Sequence, residues 1–133
     1  MRPSQHRYVF RNGDFLPLCS LFLLGPGEPG RTPIEALVDS GASYSIFHKS
    51  AAEAVGIKLP LASNHPVQYG DTAVPGWRRR VDLELRGERW SCEVIFVERL
   101  AFSHSLLGRR GVFPKFREIS FAEQQFPSTV NFR

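Results

Sequence analysis

The sequence predicts a mainly β fold in a single domain, on three observations. Apolar residues make up 42% of the chain and come in short runs, with ten prolines and eleven glycines standing between them as punctuation. Residues 81–86 alternate strictly, Val81, Leu83 and Leu85 against Asp82, Glu84 and Arg86, which is the period of a strand with one face on a core. Asn12-Gly13, flanked by apolar residues, is the dipeptide of a tight hairpin. A chain of 133 residues is long enough for one core, and no fixed internal period marks it as a repeat protein.

Residues 1–7 read as a polar, mobile start, with Tyr8 to Phe10 a short strand that turns at Asn12-Gly13 into Phe15. Phe15 to Leu24 is the first long strand. Gly25-Pro26-Gly27-Glu28-Pro29-Gly30 cannot continue a sheet and reads as a hairpin loop, after which Ile34 to Val38 returns. His48 to Val55 has helix-forming composition and stops at Gly56. Pro60 and Pro66 limit regular structure in the connection that follows, and Val67 to Tyr69 starts a strand. Gly70, Asp71, Thr72, Ala73, Val74, Pro75, Gly76 and Trp77 read as a projecting hairpin tip. Beyond the alternating strand and a turn at 86–89, Trp90, Cys92, Val94 and Phe96 mark one face of the next strand, while Ile95 and Val97 make its far end apolar on both sides. Leu106, Leu107 and Gly108 suggest a strand that ends where another backbone approaches closely. Arg109 to Phe113 reads as a helical turn stopped by Pro114, Phe116 to Phe121 as an amphipathic segment, and Phe126 to Arg133 as an edge strand.

The candidate functional residue is Asp39. The run PIEALVDSGASYSIF, residues 33–47, carries Leu37 and Val38 into Asp39, Ser40 and Gly41 and returns to apolar residues at Ile46 and Phe47. A carboxylate at the edge of a core is expensive unless hydrogen bonds or a second ionisable group compensate. Asp-Ser-Gly is also ordinary turn chemistry, so the motif gains meaning only from its setting.

That setting resembles one family. A hairpin ending in ALVDSGAS, a helix-like run, a glycine-bearing flap, two alternating strands and then LLGR are together similar to the retropepsin-like aspartic proteases, over roughly residues 15–121. The resemblance implies a closed acid-protease barrel with one short helix and a flap hairpin, preceded by an N-terminal extension at 1–14 and followed by a tail at 122–133 that is a candidate dimer-interface strand. It implies that Asp39 is the catalytic aspartate, that Ser40 ties two active-site loops together, and that Gly41 lets backbone and substrate come close. Ala42 and Ser43, with the flap residues 70–77, fall where the family meets substrate, and Leu106, Leu107, Gly108 and Arg109 where it supports the active-site loop. An acid that pairs with this arginine in retroviral members is replaced here by Ser43 and Tyr44, and the flap is poorer in glycine, which leaves substrate preference open.

The implied activity is that of an aspartic endopeptidase. Such hydrolysis needs two carboxylates sharing one proton, and this chain has a single Asp-Ser-Gly, so a homodimer with its site on the two-fold axis is expected. No cofactor or metal is expected: there is no CxxC, and His6, His48, His65 and His104 stand apart. Cys19 and Cys92 read as buried free thiols, and His48 and His104 as surface or helix-end residues. The alternative is a catalytically silent dimer that binds peptides in the same groove. Nucleic acid is disfavoured, because the arginines of this +4 chain are interleaved with glutamates and a binder built on Trp77 to Arg80 leaves Asp39 unexplained. The most apolar segment, Phe15 to Leu24, is too short to cross a membrane. Asp14 and Gly25-Pro26-Gly27 flank it where a signal peptide needs other chemistry, so a cytoplasmic protein is expected.

Overall fold

The computed structural model describes the whole chain, Met1–Arg133. It opens with three short strands, β1 (Ser4–Arg7), β2 (Val9–Arg11) and β3 (Asp14–Leu16), and two longer ones, β4 (Leu18–Leu24) and β5 (Arg31–Val38). After the Asp39 loop come β6 (Ser45–His48), the helix α1 (Lys49–Ala54) and the hairpin of β7 (Val67–Tyr69) and β8 (Thr72–Val74). The long strands β9 (Gly76–Leu85) and β10 (Glu88–Val97) lead to β11 (Ser105–Leu107), a 3₁₀ turn (Phe113–Lys115), β12 (Ile119–Ala122) and β13 (Thr129–Phe132). Six strands close into a barrel in the order β10, β6, β11, β5, β4, β9, so the expected closed barrel with one short helix is present.

The barrel closes around side chains that the alternation assigns inward. Val81, Leu83 and Leu85 of β9 and Trp90, Cys92, Val94 and Phe96 of β10 are buried, and they meet Leu21 and Leu23 of β4 and Phe47 of β6 in one core. Fully burying each large apolar side chain is worth about 1.5–3 kcal/mol, which is what holds the short strands in register. Ile95 and Val97 are buried as well, as expected of a strand covered on both faces. Helix α1 begins at His48, whose Nδ1 accepts the Ser50 N–H at 3.1 Å while Nε2 lies 2.9 Å from the Glu98 carbonyl. That pair of contacts assigns the Nε2–H tautomer and makes His48 a helix cap.

Four local expectations are corrected. Residues 4–7 form β1, paired antiparallel with β13 from Ser4↔Phe132 to Arg7↔Thr129. The run from Phe15 to Leu24 is broken at Pro17, which cannot donate to a ladder; β3 pairs with β2, and β4 with β5 and β9. The turn after Gly108 does not stop at Pro114: Pro114 lies inside the 3₁₀ turn, at a position where its missing N–H costs nothing. The tail is not an edge strand, because β13 lies between β1 and β12 in a three-stranded sheet, and Val130 and Phe132 are fully buried there. The β2–β3 hairpin runs through residue 14 and β12 through residue 121, so both terminal segments are built into the packed structure.

Cys19 and Cys92 are free and buried, as expected. Burial pushes the Cys19 thiol up to about 12 from 9.0, the nearby Arg86 charge opposing it, and likewise pushes Cys92 up to about 11. Because the folded state holds these protons more tightly, their contribution is complete below pH 9.0 and is lost as pH rises towards 12. Chemical denaturation at successive pH values is therefore expected to show an alkaline decline in stability that is shallower in Cys19→Ala. A thiol reagent at pH about 8 is expected to label neither cysteine until the chain is unfolded.

Candidate active site

Strand β5 delivers Asp39 to the rim of the barrel, and the segment after β11 decides how it is held. The Val38 N–H donates to the Pro17 carbonyl and the Asp39 N–H to the Leu107 carbonyl, each at 3.0 Å. Past the loop, the Arg109 N–H donates to the Ala42 carbonyl at 2.9 Å and the Arg110 N–H to the Ser43 carbonyl at 2.8 Å. The Gly108 N–H donates to the fully buried Ser45 hydroxyl at 3.0 Å. β11 itself runs parallel to β5 and meets β6 at Leu106↔Ile46, so it fills the space between the two strands that the loop connects. Residues 107–110 therefore clamp loop 39–45 from both ends.

Two glycines allow the close approach. A Cβ on Gly108 would lie 2.5 Å from the Tyr44 carbonyl carbon, nearer still to its oxygen, and 3.0 Å from the Ala42 oxygen, where no side chain fits. The Gly41 N–H donates to Asp39 Oδ1 at 2.8 Å, and a Cβ on Gly41 would stand 3.2 Å from that oxygen. The carboxylate is thus oriented by its own loop, in an Asx-type turn, and remains partly open to solvent. Ser40 is exposed and its hydroxyl has no hydrogen-bond partner within the chain.

Sequence reasoning placed the arginine but not its partners. Arg109 Nη2 lies 3.4 Å from the Ser43 hydroxyl, while Arg110 stacks 5.0 Å above the Tyr44 ring and donates to its hydroxyl at 3.1 Å. Arg78 Nη1 lies 3.5 Å from the same hydroxyl, and His65 packs edge-on to the ring. Tyr44 is the hub of a basic rim on the loop. Its signal was the tyrosine that stands where retroviral relatives carry an acid, beside an Arg109-Arg110 pair.

The flap is a hairpin of its own, joined in register from Val67↔Val74 to Tyr69↔Thr72. Its two-residue turn, Gly70-Asp71, needs positive φ at the first position, and Gly70 adopts +60°. Asp71, Thr72 and Ala73 are exposed at the tip, whereas Val74, Gly76 and Trp77 are buried at the base and Pro75 sits between them, exposed. The base is anchored by the 62–65 connection. The Ser63 hydroxyl accepts the Gly76 N–H at 3.0 Å, Asn64 Oδ1 accepts the Arg78 N–H at 2.9 Å, and the Trp77 indole donates to the Ala62 carbonyl at 3.2 Å. Burial pushes the Tyr69 phenol up, opposed by the Ala101 backbone N–H and the charge of Arg99, which places the flap beside the 99–104 connection. A cavity of about 370 Å³ lies between them, with Ile46 and Leu106 among its walls. His104 also lines it, and both ring nitrogens are buried without a partner, so His104 is not the surface residue expected. No group of three or more histidine, cysteine or acidic side chains is placed to hold a metal ion.

A closed barrel that carries an Asp-Ser-Gly loop, together with a separate hairpin flap, has the architecture of the retropepsin-like class of aspartic proteases. The aspartyl protease family model matches residues 27–110, more than half of the chain, and the chain belongs to that family. Among solved structures, a retropepsin-like aspartic protease from Rickettsia conorii superposes with a TM-score of 0.71 at 16% identity, over 98% of each chain. The EIAV protease in complex with the inhibitor HBY-793 gives 0.54 at 16% identity, over 76% of this chain and 88% of that one. The retroviral protease-like domain of Ddi1 from Leishmania major gives 0.51 at 20% identity, over 70% and 71%. No curated protein matches in sequence. Likeness at these identities is likeness of fold.

Gly108→Ala is expected to cost about 1–3 kcal/mol in denaturant unfolding, since the loop backbone must move to admit the methyl group. Gly41→Ala is expected to cost less than Gly108→Ala, because its Cβ would meet one carboxylate oxygen at 3.2 Å rather than fixed backbone.

Proposed function

We propose that the protein is an aspartic endopeptidase in which two copies of the chain bring their Asp39 carboxylates together on a two-fold axis. The observation that carries this reading is the clamped loop. A carboxylate held by the Gly41 N–H and left partly open is arranged to work on something outside its own chain, and the Ser40 hydroxyl beside it lacks a partner. A second copy supplies both missing groups, a carboxylate for Asp39 and a loop for Ser40.

The chemistry follows from two like charges at short range. They cannot both ionise, so the pair holds one proton between them. The ionised member takes a proton from water as its oxygen attacks the scissile carbonyl carbon, and the protonated member gives its proton to the carbonyl oxygen. The tetrahedral diol then collapses: the C–N bond breaks, the leaving nitrogen receives the proton just taken from water, and one diol hydroxyl gives its proton to the carboxylate that had protonated the carbonyl oxygen. The dyad returns to its singly protonated state without a covalent intermediate. The flap tip, Gly70 to Ala73, and the exposed Ser43 are the substrate-facing groups, and the apolar cavity beneath the flap receives one side chain.

The terminal sheet supports a route to the dimer. At one edge, β1 is covered: Arg86 Nη2 lies 3.4 Å from the Gln5 carbonyl, and the Arg2 N–H donates to Glu88 Oε2 at 2.7 Å. At the other, β12 pairs only with β13 and presents Phe121, 38% exposed. The second copy adds at the β12 edge.

Incubation with a diverse peptide pool across mildly acid to neutral pH is expected to give cleavage that rises more steeply than linearly with protein concentration. Asp39→Asn is expected to lower it by at least about 10³-fold without loss of fold or dimer. Peptide binding by both forms with cleavage by neither would make the groove a binding site in a catalytically silent dimer.

A further inference from the structure

The cavity beneath the flap is apolar in all but a few atoms, and His104 is the exception that the fold leaves unexplained. Ile46 and Leu106, paired across β6 and β11, are two of its walls, and Leu106 immediately precedes the residue whose carbonyl holds the Asp39 N–H. Tyr69 and Gly70 of the flap line it as well, opposite the 99–104 connection. The His104 ring lies parallel to Phe102, with centroids 5.8 Å apart and planes 9° from parallel. Neither ring nitrogen is paired, and neither is open to water. An imidazole always presents at least one N–H, and in its neutral form one donor and one acceptor, so leaving both unmatched in an apolar setting is unfavourable. His48, by contrast, has both ring nitrogens paired at the helix cap.

We propose that His104 is a specificity-determining residue of this cavity, which takes a large substrate side chain with an apolar body and a tip that both donates and accepts a hydrogen bond, tyrosine above phenylalanine. The inference rests on the reading of the chain as a peptidase. The volume of about 370 Å³ accommodates an aromatic ring against Ile46 and Leu106. Pairing needs the imidazole to turn towards the cavity, and its surroundings permit that. Residues 99–104 make no backbone–backbone hydrogen bonds, and Phe102, against which the ring rests, is 59% exposed. The phenol hydroxyl then meets one ring nitrogen, and a site holding a buried polar group selects against the analogue that leaves it unpaired.

The test uses two peptides that differ only in tyrosine or phenylalanine beside the scissile bond. They are compared with the wild type, His104→Phe, which keeps the stack on Phe102, and His104→Asn, which keeps a donor and an acceptor. The wild type is expected to favour the tyrosine peptide at least about tenfold in kcat/KM, mostly through KM. His104→Phe is expected to bring the ratio to about one while still cleaving the phenylalanine peptide, and His104→Asn to restore part of the preference. No preference in the wild type, or one that His104→Phe leaves unchanged, overturns the proposal, and the wild-type comparison stands even if a variant fails to fold. Anisotropy of the labelled peptides on Asp39→Asn separates the two readings. Tighter binding of the tyrosine peptide where the wild type cleaves neither would sink the peptidase and keep the role of His104; cleavage without selectivity would do the reverse. Neither cleavage nor binding overturns both.

Discussion

Everything in this molecule that bears on chemistry depends on one close approach, that of the 107–110 backbone to the loop that carries Asp39. An aspartate on a surface turn would ordinarily swing with its loop. Here the loop is tied down: hydrogen bonds to Leu107, Arg109 and Arg110 hold its two ends, and the buried Ser45 hydroxyl receives the Gly108 N–H. The contact is possible only because residue 108 has no side chain, and it persists because β11 is itself locked between β5 and β6 in the closed barrel. Rigidity is thus handed from core to strand to loop to carboxylate. The barrel is the means by which a short chain holds the Asp39 loop in one place.

The flap obeys the opposite rule. Its base is tied into β9 by Ala62, Ser63 and Asn64, while its tip pairs only with itself and touches the 99–104 connection. Few buried contacts and one short ladder make the tip a low-stability element beside a rigid floor.

What was legible in the sequence was local. Asp39 stood out because a carboxylate at the end of an apolar run, followed by two small residues, is a pattern within one stretch of chain. The strands of the barrel were legible because alternation at 81–86 and 90–97 is likewise local, and Gly70 because a hairpin turn needs positive φ. The glycine after Leu107 announced a close approach without naming what approached. Its partner Ser45 lies 63 residues away, and no spacing links the two. The same holds for β13, whose place between β1 and β12 is set by pairing with the opposite end of the chain, and for the 62–65 connection, which reads as filler yet buttresses the flap. His104 was misjudged for the same reason: polar residues near bends are usually solvated, and only the packing of the flap and the Phe102 ring buries it. The strand expected from Phe15 to Leu24 failed where a known local rule, the missing N–H of Pro17, was outweighed by a run of apolar residues.

The central position of β13 has a consequence for how such a protein is governed. Each chain completes its own terminal sheet, with β1 and β12 on either side of a strand they bury. In the proposed dimer, parting two copies would uncover a strand edge and leave the β1-β13-β12 sheet whole, because that sheet is completed within one chain. For the proposed dimer, abundance or confinement at a shared location would then set the fraction of paired chains by mass action.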